Sequence, residues 1–417
     1  MRESVSRSPN LFFLVWLLLL SITAISCRDA LPPCEDSVGC INIRPNDPIQ
    51  IAYLLSLSGE TAVIGEDALR GIELALNRHE NEILGHEIQL LGFDAACRTQ
   101  AGEQAVSRMS GNDSLVGIIG PSCSDVARAV MPMVDEQGFV LISPSATAPD
   151  LTDAQPVATA LRHNSFFRTA PNNLMQAQVA ATYAYEMLGK RTAVTVHDGT
   201  AYARSLQQQF SQTFQRLGGS IIFQGSVTVG DTAVEDLLSE LIAEQPDLFY
   251  MPVFEPEANL IALRLLDLND NDDMVLMGAD SLLTPTFANS AESTVERMYL
   301  SGTAVRGPAY IAFQDAWDAR YDTDPIGFVH AYAYDAVNLL LDAVNRVAIS
   351  SNNGSLLIGR QALRNAIAAT VAFPGVTGSL SCEFNGDCAA ISSIGIYELR
   401  SEQVFGKVWP PAIVWNP

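Results

Sequence analysis

Short apolar runs alternate with longer amphipathic runs along most of this chain. Ile49–Leu55, Glu87–Phe93 and Leu115–Ile119 have the composition of buried strands, and the stretches between them have helical periodicity. A second series begins near Phe166 and repeats the pattern through Met274–Met277. Alternation of this kind predicts parallel sheets covered by helices on both faces.

The pattern changes after Tyr299, where the sequence predicts three helices without intervening strands and then a β-rich tail. The predicted helices are Ala309–Tyr321, Val329–Val347 and Ile358–Thr370, and the predicted strands are Gly378–Phe384, Ser393–Leu399 and Gln403–Trp409. A final third of this kind is expected to complete two preceding lobes rather than to form a third one. The chain would then pass between the two lobes more than once. This predicts a multi-crossover hinge beside a cleft.

The predicted fold class is therefore α/β, with two doubly wound parallel-sheet lobes joined by that hinge. The chain is too long for one such sheet. The predicted segments are a signal peptide (1–26), a lipid-anchored tether (27–48), a first lobe (49–167 plus 304–377) and a second lobe (168–303 plus 378–417).

The first 26 residues have the pattern of a secretory signal. Two arginines precede the apolar run Leu11–Leu20, which is too short for a confident spanning helix. The ending Ala24-Ile25-Ser26-Cys27 resembles a bacterial lipobox, which predicts lipidation of Cys27 after cleavage. The alternative is an uncleaved anchor. The polar, proline-containing residues that follow predict the tether.

Removal of this leader leaves 22 basic and 46 acidic residues, a net charge of −24. A chain this acidic does not favour nucleic acid or a bare anionic lipid surface as a partner. Attachment to a membrane would therefore depend on the lipid at Cys27.

Six of the seven cysteines remain after Cys27, and an even number in an exported protein favours disulfides. Cys34 with Cys40, and Cys382 with Cys388, would each close a small loop, and Cys97 with Cys123 would tie a strand end to a turn. Proximity in sequence leaves other pairings open. Neither the cysteine nor the histidine spacing favours a metal site, and no cofactor is expected.

Two turns rich in serine and threonine follow the apolar runs Leu115–Ile119 and Phe139–Ile142. They hold Ser122–Ser124 and Ser145–Thr147, 23 residues apart, a spacing that suits adjacent parallel strands joined by a crossover helix. Ser124 is well placed as the N-cap of a helix over Asp125–Glu136. The turns are either ordinary capped turns or a site for a small anion such as a carboxylate, because hydroxyls lie beside free N–H groups at helix starts.

Several segments, taken in order, resemble the substrate-binding proteins of branched-chain amino acid ABC transporters, which have the type I periplasmic-binding-protein fold. The resemblance covers nearly all of residues 49–417. It rests on IAYLLSLSGETAVIGEDALRGIELALN, DAAC, GPSCS, LISPSATAPDLT, FRTAPNN, HDGTAYAR, DLFYMPVFEPEAN and LMGADS. The combination of DAAC, a Cys-Ser turn and SPSATAPDLT is specific.

The resemblance implies that an amino acid binds between the lobes. On the first lobe, Ser124 and Thr147 stand where hydroxyls and N–H groups hold the ligand α-carboxylate, and Ser145 stands where a carbonyl meets the ammonium group. On the second lobe, Asp280 stands where an acidic residue, often glutamate, pairs with the ammonium. Tyr202 stands where a tyrosine closes over the ligand.

Two further positions depart from the family pattern. Phe254 and Ile64 each replace a frequent tyrosine, which implies an aromatic wall and an apolar lining for the ligand side chain. The resemblance also favours the Cys97–Cys123 disulfide.

The resemblance implies an extracytoplasmic, lipid-anchored, monomeric protein at the periplasmic or cell surface. It would capture an amino acid, of apolar or branched-chain type, by hinge closure and deliver it to ABC permease subunits. It implies no catalytic residue. One alternative is a ligand-sensing lipoprotein without a transporter. A remote alternative is a secreted hydrolase that uses Ser122, Asp280 and His330, although a nucleophile elbow needs glycine where Ser124 stands.

Overall fold

The structure is a computed structural model that describes residues 31–152, 165–228, 234–268, 274–290, 295–389, 394–406 and 408–416. The predicted signal peptide 1–26 and the predicted lipidation site Cys27 lie outside the described residues. In the described part of the chain, no helix combines the length and the apolar character needed to cross a membrane.

The first lobe is built on a six-stranded sheet that is parallel apart from one short edge strand. All residues of Leu115–Ile119 are buried, as expected for a strand covered on both faces. In spatial order the strands are Glu82–Ile83, His86–Asp94, Ile49–Leu55, Leu115–Ile119, Leu141–Ser143 and Phe166–Arg168. The helices between them are Ala62–Arg78, Thr99–Met109 and Ser124–Glu136, with a short 3-10 turn at Pro149–Leu151.

The second lobe is built on a seven-stranded sheet whose last two strands are antiparallel additions from the C-terminal tail. In spatial order the strands are Ile413–Trp415, Ile394–Glu398, Tyr299–Thr303, Val275–Gly278, Leu248–Tyr250, Thr192–His197 and Ser220–Ser226. The helices are Asn173–Thr182, Ala201–Arg216, Glu235–Ala243, Glu257–Leu268, Pro285–Ser290 and Ser401–Val404. The first of them continues as a π-helical turn at Tyr183–Met187, and a 3-10 turn lies at Asp280–Leu282. The predicted fold class is confirmed.

Three further helices, Pro308–Arg320, Val329–Val347 and Arg360–Ala368, pack against the first lobe. The prediction that no strands separate them was wrong. Leu356–Gly359 pairs with Ile349–Ser350 on one side and with Cys40–Ile43 on the other. The tether prediction for 27–48 was therefore wrong for Cys40–Ile43, because Ile41 and Ile43 are buried in the first-lobe core.

The C-terminal part of the first lobe extends beyond the predicted boundary at 377/378. A hairpin of Phe373–Gly375 and Gly378–Leu380 is fixed to this lobe by Asp335, which accepts the Val376 N–H at 2.8 Å and the Thr377 N–H at 2.9 Å. Cys388 is buried in the same core. Ile394, by contrast, pairs with Thr303 in the second-lobe sheet. The tail strand predicted over 403–409 was also wrong, because the helical turn Ser401–Val404 covers its start and the last strand forms later, at Ile413–Trp415.

A buried pair of polar side chains, Asp67 and His330, joins the helices Ala62–Arg78 and Val329–Val347. Asp67 Oδ2 lies 3.0 Å from His330 Nδ1 and accepts the His330 backbone N–H at 2.9 Å. The rings of Phe313 and Trp317 pack around His330. Burial raises the pKa of the Asp67 carboxyl, but the His330 ring and the hydrogen bonds outweigh this effect and hold that pKa below its usual value.

Candidate functional site

The first serine-rich turn lies at the carboxyl end of Leu115–Ile119. Gly120 has φ +129°, and a Cβ there would lie 2.2 Å from the Leu54 carbonyl oxygen, so only glycine lets the strand turn here. Ser122 Oγ accepts the Ser56 N–H at 3.1 Å. The disulfide Cys97–Cys123 ties the turn to the neighbouring loop. The disulfides Cys34–Cys40 and Cys382–Cys388 are also present.

The prediction that Ser124 is an N-cap was wrong, because the helix already begins at Ser124 and Cys123 occupies the cap position. Ser124 is buried, and its Oγ accepts the backbone N–H of Ala148 at 3.1 Å. A hydroxyl in this position links the two turns and retains its own hydrogen for a further acceptor. The Ser124 hydroxyl therefore bonds to the second turn instead of capping its own helix as the sequence predicted.

The second turn is held against the first by serine hydroxyls. Ser143, which sequence reasoning missed, donates to the Pro121 carbonyl at 2.8 Å and accepts the Ala146 N–H at 2.8 Å. Ser145 Oγ donates to the Ser122 carbonyl at 3.0 Å. The Oγ1 atom of Thr147 is buried and has no hydrogen-bond partner within the described part of the chain. A buried hydroxyl of this kind is a candidate ligand contact.

On the second lobe, Asp280 follows the strand Val275–Gly278 and begins a 3-10 turn. Its Oδ1 accepts from the Tyr202 hydroxyl at 2.6 Å and from Gln176 Nε2 at 2.6 Å. Burial raises the pKa of the Asp280 carboxyl, and the two donors offset part of that rise. Burial and the charge of Asp280 hold the pKa of Tyr202 well above its usual value, so this hydroxyl stays protonated and donates.

Two adjoining cavities lie between the lobes, and Ser145 lines both. The outer cavity has a volume of about 560 Å³, and Ser124, Tyr202 and Phe254 line it. The Tyr202 and Phe254 rings pack with centroids 5.0 Å apart. The inner cavity has a volume of about 60 Å³ and is lined by Ile64, Thr147 and Asp280, together with Val63, Ala170, Leu283 and Phe328. The structure thus brings all seven residues named from the sequence to one cleft.

The outer cavity has an acidic lining that the sequence did not reveal. Glu60 of the first lobe and Glu257 of the second both face it. Burial, and then the negative charge of Glu257, raise the pKa of the Glu60 carboxyl. Asp198 is also on this surface but is engaged structurally, because it accepts the backbone N–H groups of Thr200 at 2.9 Å and Phe254 at 3.0 Å.

A side-chain hydrogen bond joins the two lobes beside the cleft. Asp125, in the first turn of its helix, accepts the N–H of Ala201 at 3.0 Å, and Ala201 is the first residue of the helix Ala201–Arg216. A carboxylate at this point meets the positive end of that helix. Arg128 contacts the other oxygen of Asp125 at 2.7 Å and so orients it.

Replacing Asp125 by alanine is expected to weaken the closed arrangement, because the helix start of the second lobe loses its acceptor. We expect ligand affinity to fall about three- to tenfold, through faster dissociation, given the usual strength of such a contact. Stopped-flow release kinetics measure this. Glu136→Ala, at the exposed far end of the same helix, is the matched control. An unchanged dissociation rate in Asp125→Ala would show that this contact does not stabilise closure.

The structure does not bring the hydrolase residues together. Ser122 bonds to the Ser56 backbone, and Asp280 to Tyr202 and Gln176. His330 lies instead in the first-lobe core against Asp67. These partners leave no nucleophile–base contact among the three. Within the described residues, no group of three potential ligands is arranged to hold a metal ion.

Two doubly wound lobes, with a cleft lined by inward-facing polar groups from both, define the class of two-lobed solute-binding proteins. A family model described as periplasmic binding protein matches residues 48–402. The chain belongs to the periplasmic binding protein family.

Individual relatives agree with this membership. A Leu/Ile/Val-binding protein from Rhizobium johnstonii is 25% identical over 360 residues, which cover 85% of this chain and 93% of the relative. A leucine binding protein from Thermotoga maritima has a similar structure, with a TM-score of 0.75, 24% identity and coverage of 84% and 95%. A solute binding protein of an ABC transporter from R. palustris, in complex with benzoate, has a TM-score of 0.72, 21% identity and coverage of 85% and 94%. The two structural similarities show that the chain shares the fold of these proteins.

Proposed function

We propose that this chain is the extracytoplasmic solute-binding component of an ABC transporter and that it captures an α-amino acid with an apolar side chain. The single observation that carries the proposal is that Asp280 of the second lobe and Thr147 of the first line the same cavity, with Ser124 in the lining of the adjoining one. A zwitterion that leaves water needs a partner for each of its charges. Cys27 is proposed as the lipid attachment point.

The carboxylate of the ligand would be held by the first lobe. Thr147 Oγ1 lacks a partner among the described residues, and a ligand oxygen would supply one. The Ser124 hydroxyl accepts from Ala148 and still has its hydrogen to donate. Both groups lie close to the start of the helix Ser124–Glu136, whose positive end favours an anion.

The ammonium group would be held by Asp280, with the Ser145 carbonyl as a second acceptor. The Asp280 carboxylate is surrounded by neutral donors, Tyr202 and Gln176, rather than by a cation. A partly buried carboxylate of this kind gains from a positively charged partner. Glutamine and tyrosine would then position the carboxylate for the ligand.

The side chain of the ligand would lie against apolar groups. Ile64 and Phe328 line the inner cavity, and Phe254 packs beside Tyr202 at the outer one. Without a hydroxyl at positions 64 and 254, these walls favour carbon over polar atoms. Branched-chain amino acids, which the name of the Rhizobium johnstonii relative gives as its ligands, are therefore the first candidates.

The proposed mechanism is hinge closure. The ligand docks first on Ser124, Ser145 and Thr147, and the second lobe then brings Tyr202 and Asp280 over it. The Asp125–Ala201 contact supports the closed form, which is presented to the permease. A sensing protein of the same fold would close in the same way, and loss of uptake of the bound amino acid in a strain lacking this gene distinguishes transport from sensing.

Ligand affinity is expected to fall on acidification. Burial raises the pKa of Asp280, and only its ionised form attracts an ammonium group. Proton binding therefore competes with the ligand as the pH falls through that raised pKa, with a limit of about tenfold per pH unit below it. Calorimetric titrations at several pH values from about 8 down to about 3.5, below the ordinary pKa of aspartate, measure this effect. The same series on Asp280→Asn should be flat. A flat series for the unaltered protein would contradict ammonium binding at Asp280.

A thermal-shift panel of L-amino acids, small amides and aromatic acids tests the proposed function. We expect the largest stabilisation from leucine, isoleucine or valine, since a ligand that binds only the folded state raises the melting temperature with its concentration. If none of the amino acids produced a shift, the proposed ligand class would be wrong.

A further inference from the structure

Arg168 connects the turn Ser145–Thr147 to the loop that carries Asp387, which lies far away in sequence. Its side chain is fully buried at the end of the first-lobe sheet. Nη1 donates to the Ala146 carbonyl at 3.2 Å and to the Ala148 carbonyl at 2.8 Å, and Nη2 donates to the Thr152 hydroxyl. The two carbonyls flank Thr147, so a single guanidinium fixes the backbone on both sides of that residue.

The charge of Arg168 is balanced from the C-terminal end of the first lobe. Arg168 Nε donates to Asp387 Oδ1, and the two backbones also pair. The Arg168 N–H donates to the Gly386 carbonyl at 3.0 Å, and the Cys388 N–H donates to the Arg168 carbonyl at 2.9 Å. A buried guanidinium needs such a carboxylate, because an unpaired charge in the interior is costly.

The loop that carries Asp387 is itself closely constrained. The Cys382–Cys388 disulfide closes it, and Asn385 Oδ1 accepts the Asp387 N–H at 3.0 Å. Gly386 has φ +97°, and a Cβ there would lie 2.4 Å from the Phe166 carbonyl oxygen. Only glycine allows the loop to approach the strand this closely.

We propose that the Cys382–Cys388 loop is a positioning element of the ligand site: Asp387 holds Arg168, and Arg168 fixes the backbone on both sides of Thr147. The proposal rests on the proposed function, since that function assigns the ligand carboxylate to the Thr147 hydroxyl. One guanidinium thus carries the support of the loop to the backbone around Thr147. Loss of that support should therefore weaken the binding of the ligand carboxylate more than the binding of the ligand ammonium group.

The test is Asp387→Ala in the full mature chain, titrated with L-leucine and with L-leucinol, which keeps the amine but lacks the carboxylate. We expect leucine affinity to fall about tenfold, as for loss of one charge-assisted contact, and leucinol affinity to change less than about twofold. Asp387→Asn keeps an acceptor for Arg168 and should restore part of the leucine affinity. Glu383→Ala, an exposed acid in the same loop, is the matched control.

Hydrogen exchange of peptides over 144–152 gives a second readout that needs no ligand. Asp387→Ala should exchange faster there than the unaltered protein, and Glu383→Ala should not. Equal losses for leucine and leucinol, an unchanged leucine affinity, or unchanged exchange would each overturn the positioning role. If the unaltered protein bound no amino acid at all, the proposed function would fail, and the exchange measurement alone would decide the role of the loop.

Discussion

Asp280→Asn is expected to lower amino-acid affinity about 30- to 1,000-fold, which corresponds to about 2–4 kcal/mol of binding free energy. Asparagine has nearly the same shape and can still accept from Tyr202 and Gln176, whose donors lie 2.6 Å from Asp280 Oδ1. It cannot supply the negative charge that an ammonium group needs when it leaves water. Isothermal titration calorimetry with L-leucine, at a pH above the raised pKa of Asp280, measures the loss.

The matched control for this substitution is Glu240→Gln, which removes one exposed negative charge from the same lobe. It should bind leucine as the unaltered protein does, so that a change in net charge is separated from a change at the site. An Asp280→Asn protein with full leucine affinity would contradict the assignment of Asp280 to the ammonium group.

Asp67→Ala is expected to lower the free energy of unfolding by about 3–5 kcal/mol, the usual cost of removing one partner from a buried pair that contains a charged group. Asp67 accepts from the His330 ring and backbone and from the Gly327 N–H, so the variant leaves several buried donors without a partner. Chemical denaturation monitored by circular dichroism measures the change.

The pH dependence of this loss has a definite sign. Because the folded-state pKa of Asp67 lies below its unfolded value, its contribution is full above the unfolded pKa and is lost as the pH falls through the folded pKa. The difference in stability between the two proteins should therefore narrow below about pH 4. Glu66→Ala, an exposed acid one position earlier in the helix, should change stability by less than about 0.5 kcal/mol. Equal stability of Asp67→Ala and the unaltered protein at neutral pH would contradict the structural role.

The fold could be predicted from the sequence wherever the local pattern was strong. Val329–Val347 forms a helix over the residues predicted, because its apolar face recurs with helical spacing. Cys40–Ile43 was missed because the strand is short and its partner, Leu356–Gly359, lies far away in sequence. The tail after Ser401 was assigned to the wrong element for the same reason, since its structure depends on packing against the second lobe rather than on local preference.

The first-lobe turns of the candidate site could be predicted from local sequence, whereas the second-lobe residues were found only through the resemblance, and all the assigned roles stay predictions. Composition and spacing identified two turns that could bind a small anion. They did not identify Asp280, because the apolar strand before it has no distinguishing sequence feature. Gln176 and Arg168 were missed because each looks locally like an ordinary polar residue in a helix or at a strand end. Their importance arises from contacts with residues distant in sequence, such as Gln176 with Asp280 and Arg168 with Asp387.

The central claim is that one cleft holds both charges of an amino acid. The most direct measurement is a calorimetric comparison of L-leucine with 4-methylpentanoic acid, which has the same carbon skeleton and carboxylate but lacks the ammonium group. We expect leucine to bind at least about 100-fold more tightly, because the acid alone would leave Asp280 unpaired opposite another negative charge. If the acid bound as tightly as leucine, the site would be one for simple carboxylic acids, and the account would be wrong.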